Sequence, residues 1–435
     1  MDISLPFTVL LIISILCNLK GLEHSSLVEG EGMDFSELRK AVEEVELVDG
    51  HSHNIVALNS TSISGFVQAF TVGAFVDADA IAFAQTSLSF KRSLRDVAEL
   101  YGTEVSLQGV EEYRKASGIE SISSTCLKAA KFSAILIDDG IEMDKKHDMQ
   151  WHKNFTPFVG RILRTERVAE QILEQGLPNG SSWTIDSFTE AYVSKVKSVA
   201  KEIHALKSIA AYYGGLEINL NVTKTDAEES LKEVLTNTAK PIFLLKYKNY
   251  KNLVDYLFLQ SLEIALSYDL PMQIHTGFGD RLLDLRKTNP LHLRSVLEDK
   301  RYSKCRFVLL HASHPYSKEA SYLASVYSQV YLDFGLAIPK LSVHGMTSAV
   351  KDLLNLAPLD KVMFSTDAYT FPETFYLETP INMQNAKSNG HKLMISTYVH
   401  KSKHLESYLE SIQLLLEILI PNMSATIRVL SMITS

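Results

Sequence analysis

Eight short apolar runs, separated by stretches of helical spacing, constrain this chain more than any other feature. They are Glu46–His51, Ala134–Asp138, Val159–Thr165, Ile203–Ala211, Pro271–His275, Arg306–His311, Val330–Phe334 and Lys361–Thr366. Between them, Leu88–Tyr101, Ile119–Phe132, Ile185–Ala200, Leu253–Ser267, Leu291–Leu297 and Val350–Leu356 read as helices, with Gly102 and Gly118 dividing the first two. Compact apolar strands alternating with helices indicate βα units and a parallel sheet buried on both faces. The predicted fold is α/β, a (β/α)8 TIM-type barrel. A chain of 435 residues, 46% hydrophobic, is long enough for such a barrel of about 250 residues or more, with additions.

Several runs end on a residue that can bind a metal. His51 and His53 close the first run in Asp49-Gly50-His51-Ser52-His53, and Lys207 lies in the fourth. His275 and His311 end the fifth and sixth, and Asp367 follows the eighth. Side chains two apart on a strand share a face, so His51 and His53 can reach one ion. A (β/α)8 barrel gathers the C-terminal ends of its strands at one mouth, where residues distant in sequence meet. Imidazole and carboxylate ligands suit Zn2+, one or two ions, with manganese or iron as other choices. Each residue also has a bland reading: a strand-end histidine is commonly structural, and Asp367 can cap a following helix. The ordered set outweighs its members. Asp367 is the candidate catalytic base.

Other polar residues rank lower. Asp49 shares the face of His51 and His53, in a supporting or core hydrogen-bonding role. Arg161 and Arg164 have opposite parity; Arg164 is the candidate to grip a substrate carboxylate, and His314, just after His311, to touch substrate. Asp280, Arg281 and Arg286 can line the mouth or be solvated loop charge. His204 is expected to face away from Lys207, toward the helices. His147, His152, His292, His344, His391, His400 and His404 read as surface or loop.

The order His-x-His, Lys, His, His, Asp resembles the ligand order of the amidohydrolase superfamily. More closely, Val48-Asp49-Gly50-His51-Ser52-His53-Asn54, Ser89-Phe90-Lys91-Arg92-Ser93-Leu94-Arg95, Lys207-Ser208-Ile209-Ala210-Ala211-Tyr212, Ile274-His275-Thr276-Gly277-Phe278-Gly279-Asp280, Leu310-His311-Ala312-Ser313 and Phe364-Ser365-Thr366-Asp367 resemble the amidohydrolase-2-type domain of plant nodulin/glutamine-synthetase fusion proteins, the FluG-like proteins. The resemblance runs from Met33 to about Tyr376. It implies a metal-dependent hydrolase of amide or related C–N bonds, with a link to nitrogen or glutamate-amide metabolism. It also implies that Lys207 reacts with CO2 to give a carbamate bridging two metals. The alternatives for Lys207 are an unmodified lysine that binds a substrate carboxylate, or a structural bridge between strands. Rival functions are a nonoxidative decarboxylase on the same barrel and a catalytically compromised barrel acting as a scaffold.

Composition narrows the partners. A formal charge of −8 and a pI near 6.0 argue against nucleic acid and leave a small-molecule substrate, with homo-oligomers left open. Three dispersed cysteines, Cys17, Cys126 and Cys305, suggest no disulfide framework and a cytoplasmic protein. The barrel itself should not enter a membrane. Residues 1–32 form an apolar leader without an n-terminal positive charge; if they act as a signal peptide, the protein enters the secretory pathway instead. The barrel is assigned to residues 33–377, opening with a helix over Met33–Glu46. Residues 378–435 form a divergent tail, with no glutamine synthetase domain following the barrel. A helix near 405–420 is its strong candidate to cover the eighth strand.

Overall fold

The computed structural model describes residues 46–60, 66–70, 78–177, 180, 182–236, 250–377 and 379. Eight strands form one parallel sheet in sequence order: β1 Leu47–His53, β2 Phe132–Asp138, β3 Phe158–Arg164, β4 Ala205–Ser208, β5 Met272–Ile274, β6 Phe307–Leu309, β7 Val330–Asp333 and β8 Val362–Met363. The expected (β/α)8 architecture is the one observed. The leader, all but the last residue of the helix expected over 33–46, and the helix expected over 405–420 lie outside the described residues.

The helices are α1 Ala78–Ala84, α2 Leu88–Tyr101, α3 Leu107–Ala130, α4 Met149–His152, α5 Thr165–Gln175, α6 Ile185–Val199, α7 Lys224–Thr236, α8 Lys251–Tyr268, α9 Arg294–Glu298, α10 Ser317–Val326, α11 Ala337–Lys340, α12 Val343–Leu354 and α13 Pro372–Leu377. Helix α2 starts where the Ser87 hydroxyl accepts the Phe90 N–H and stops at Gly102, whose φ of 64° is left-handed. Gly118, at φ 76°, kinks α3 where the sequence predicts a helix boundary.

Strand alternation positions the site. Leu136, Ile162 and Ala205 pack together inside the barrel. Two residues further along the same strands, on the same face, lie Asp138, Arg164 and Lys207. Apolar side chains therefore fill the lower barrel, and the next inward position on each strand carries chemistry.

The ends of the sheet meet at a seam. Gly50 N–H donates to Phe364 O (3.1 Å), Asp367 N–H to His51 O (2.8 Å) and His53 N–H to Ala368 O (2.7 Å). A Cβ at Gly50 would lie 3.0 Å from the Phe364 carbonyl, so the close approach needs glycine.

The segment just after Asp367 forms a helix of its own that the spacing did not announce, and every residue of α13 is buried. Its Glu373 pairs with Arg114 and accepts from the Tyr101 hydroxyl (2.6 Å), and the Arg114 guanidinium lies 4.6 Å from the Phe371 ring centre. A buried ion pair across α13, α2 and α3 fixes the chain where it leaves the seam.

Candidate metal centre

The side chains of β1 come first. Gln273 Nε2 donates to the Gly50 carbonyl (2.9 Å), so its Oε1 faces His51 Nδ1 at 2.7 Å and must accept a proton from it. The lone pair of His51 is thereby confined to Nε2. His53 Nδ1 likewise donates to the Asp138 carbonyl (2.9 Å), leaving Nε2 bare. Both lone pairs point at Asp367, whose Oδ1 lies 3.4 Å from His51 Nε2 and 3.2 Å from His53 Nε2.

Asp367 arrives by an unusual route. Its φ is 53°, a left-handed conformation for a non-glycine residue. The preceding residue is held from below: Asp49 accepts from Thr366 N (2.9 Å), Thr366 Oγ1 (2.5 Å) and His51 N (3.2 Å). Asp49 thus ties β1 to the strand-eight exit, which supports the ligands rather than joining them. Burial pushes its carboxyl up to about 8. Ligating atoms of His51, His53 and Asp367 all lie within 4.8 Å of one another.

His275 and His311 stand beside this trio. Their ring centres are 4.4 Å apart, and that of His311 lies 6.0 Å from that of His51. His275 Nε2 donates to the Phe278 carbonyl (3.1 Å), so its free lone pair is on Nδ1. His311 Nδ1 is 3.9 Å from Asp367 Oδ2, is buried, and has no hydrogen-bond partner among the described residues. Its backbone N–H donates to Asp333 Oδ1 (2.9 Å). Lys207 is 1% exposed, and its Nζ donates to His51 Nε2 at 3.2 Å.

Electrostatics disfavour the charged form of His51, His275 and His311. Burial, then the Lys207 charge, lowers His51 to about 4 and holds His275 well below the ordinary value; burial does the same to His311. Burial lowers Lys207 to about 8 against the upward pull of Asp138 and Asp367. Burial opposes ionisation of Asp367, but the neighbouring histidines outweigh it and hold the carboxyl well below its usual range. Neutral imidazoles and an ionised carboxylate are the forms that bind a divalent ion. The unpartnered His311 nitrogen and the inward-facing Nε2 atoms of His51 and His53 fit such an ion.

The site opens into a cavity of about 470 Å³, walled by Arg164, Lys207, Tyr212, His275, Asp280 and Asp367 among others. Arg164 reaches it, but its Nε (3.0 Å) and Nη2 (2.6 Å) both bind Asp138 Oδ2, which the guanidinium holds ionised despite burial. His314 is not brought there: its ring lies 5.3 Å from that of Phe278, outside the cavity lining. Two other histidines differ from expectation. His204 faces the barrel floor with Leu136 and Gln273, not the helices. His152 is fully buried and accepts the Ile55 N–H (3.1 Å). Sequence reasoning missed Asp138, Gln273 and Tyr212. Only Asp138, at a strand end like the ligands, carried a signal that spacing could have found.

Comparison with known proteins accords with this geometry. The sequence profile of the amidohydrolase family matches residues 212–393. Protein fluG of Emericella nidulans is 28% identical over 365 residues, 79% of this chain and 42% of the relative. The chain therefore spans less than half the length of that curated relative. A Lactobacillus casei protein whose crystal structure is described as a metal-dependent hydrolase superposes with TM-score 0.69 at 26% identity, over 83% of this chain and 92% of its own. The uronate isomerase of Thermotoga maritima shares the fold, with TM-score 0.53 at 13% identity, over 83% of this chain and 92% of its own. An amidohydrolase-type domain on a (β/α)8 barrel is thus present. Among the described residues, no helix is long and apolar enough to cross a membrane.

Proposed function

We propose that this chain hydrolyses an amide or related C–N bond of a small molecule, as the amidohydrolase-type barrel and its neighbours suggest. The observation that carries the reading is the convergence of His51, His53 and Asp367 on one point, with His275 and His311 beside them, at the floor of an open cavity. His51, His53, His275, His311 and Asp367 would hold the ion or ions, most simply Zn2+, with Lys207 as a further ligand if it is carboxylated. When bound, the metal supplies Lewis acidity and lowers the pKa of a water toward about 7.

The protein's own residues do the rest. Asp367, ionised among the histidines, accepts the water's proton and passes it to the departing nitrogen. Gln273 and the Asp138 carbonyl lock the two β1 imidazoles with Nε2 inward. Arg164, held by Asp138 at the cavity wall, can offer a guanidinium N–H to a substrate carboxylate. Such a substrate suits amides related to glutamate and a place in nitrogen metabolism, in keeping with the resemblance to nodulin/glutamine-synthetase fusion proteins.

The test is metal analysis of the purified protein, with a screen of γ-glutamyl amides for released ammonia or amine. Release that needs metal and disappears in His53→Ala is expected. CO2 release from a carboxylated substrate would favour the decarboxylase, and a metal-free protein inert in both assays would favour a scaffold.

A further inference from the structure

Tyr212 stands on the 3-10 turn Ala210–Tyr212 just beyond β4 and forms part of the cavity wall. Its ring meets that of His275 edge-on, with centres 4.9 Å apart. Its hydroxyl oxygen accepts the Asp280 backbone N–H at 3.3 Å. That bond uses a lone pair and leaves the hydroxyl hydrogen without an acceptor among the described residues. Gly279 fixes how near the hydroxyl comes to the His275 ring. A Cβ there would overlap the Tyr212 hydroxyl and sit 3.1 Å from His275 Nε2, so both groups crowd one point that only glycine leaves open. A phenol, with an ordinary pKa of about 10, is a neutral donor at neutral pH. Of the other cavity donors, Arg164 has two nitrogens on Asp138 and is assigned to the substrate carboxylate, and Lys207 points at His51.

We infer that Tyr212 is a catalytic residue of this site, donating its hydroxyl hydrogen bond to the substrate carbonyl oxygen as the carbonyl carbon becomes tetrahedral and the oxygen negative. The inference rests on the hydrolase reading and adds the group that receives the developing charge. As the water oxygen bonds to the carbonyl carbon, the C=O π pair moves to oxygen, where the phenol O–H meets it. Tyr212 keeps its proton throughout. The pair returns as the C–N bond breaks, and the nitrogen leaves with the proton carried by Asp367. Preorganised donors of this kind act only as charge develops, and losing one costs about 10²–10³ in kcat where it is the principal donor.

The test uses the full-length, zinc-loaded protein, with methylphosphonate as a tetrahedral oxyanion and p-nitrophenyl acetate as a reporter ester. In Tyr212→Phe, calorimetry should show methylphosphonate binding weakened about tenfold at unchanged zinc content, since one donor to an anion is lost. Ester kcat should fall about 10- to 100-fold with little change in KM. Gly279→Ala, which displaces the hydroxyl but keeps the tyrosine, should show the same weakening and covers the case of a poorly folded Tyr212→Phe. Equal methylphosphonate affinity in wild type and Tyr212→Phe, or no binding by wild type, overturns the inference. If zinc-loaded wild type cleaves no more ester than metal-free protein, the hydrolase reading itself falls. Zinc-dependent cleavage that survives Tyr212→Phe intact removes only Tyr212.

Discussion

Replacing Gln273 with leucine tests how the metal centre is preset. The amide does two things at once: Oε1 takes the proton of His51 Nδ1, and Nε2 satisfies the Gly50 carbonyl at the seam. His51 is completely buried and Gly50 partly so, so neither group gains free access to water when the amide is gone. Two unsatisfied buried groups cost about 1–3 kcal/mol each. Burial of the leucine returns about 1.5–3 kcal/mol, leaving a net loss of roughly 2 kcal/mol in the metal-free protein. The effect on metal is separate. Without its acceptor, His51 is free to take the other tautomer or turn, and loss of such an outer partner lowers metal affinity about 10- to 100-fold. Urea unfolding of the metal-free protein reads the first effect, and zinc titration against a competing chelator reads the second. Gln273→Glu keeps the acceptor and should bind zinc at least as tightly as wild type. The reasoning is refuted if Gln273→Leu unfolds earlier yet binds zinc within about twofold of wild type, because Gln273 would then support the seam without fixing the imidazole.

Three further outcomes follow from the same geometry. Asp49, raised to about 8 by burial, keeps in the folded state a proton that the unfolded chain loses near pH 4; its contribution is complete below about pH 4 and is lost as pH rises through 8. Metal-free Asp49→Asn should therefore lose less stability than wild type between pH 5 and 8 in urea titrations, and an unchanged slope would place the proton elsewhere. Arg114→Met strands the Glu373 carboxylate, which is 0% exposed, and should cost about 3–5 kcal/mol; Arg114→Met with Glu373→Gln should recover most of it, and a single variant as stable as wild type would show that the pair does not anchor α13. If Lys207 carries a bridging carbamate, wild type should hold about two metals per chain and Lys207→Ala fewer, with partial rescue by short carboxylic acids; one metal in both proteins would favour the substrate-binding role.

The barrel was legible in the sequence because its signal is repeated. Each strand ends within a few residues of its apolar run, and Gly102 and Gly118 mark helix breaks where they were expected. The ligand candidates were legible for the same reason, since His51, His53, His275 and His311 all sit at strand ends. Residues whose meaning depends on a distant partner were not legible. Gln273 reads as a polar interruption in an apolar strand until His51, 222 positions away, is placed against it. Tyr212 acts from a turn, where no periodicity ranks one residue above another. His152 and His204 were misjudged because a polar residue's surroundings depend on which loop folds over it. Helix α13 escaped notice because six residues are too few to show a period, although Pro372 and Glu373 open it as helix starts favour.

The seam between β1 and the exit from β8 also bears on how the protein is made. His53 and Asp367 meet across 314 positions of sequence, and backbone bonds of His51, His53 and Asp367 themselves join the first strand to the last. A ribosome therefore releases both histidines of β1 long before the carboxylate that completes their cluster exists. Until Asp367 emerges, the nascent chain has an open sheet edge at β1 and no assembled trio. Closing the ring and assembling the trio are then one event, late in synthesis. A metal bound across that junction would favour the closed chain by mass action, by about 2.7 kcal/mol at a hundred times its dissociation constant. Metal supply during translation would then influence how much of the chain closes, before any substrate is met.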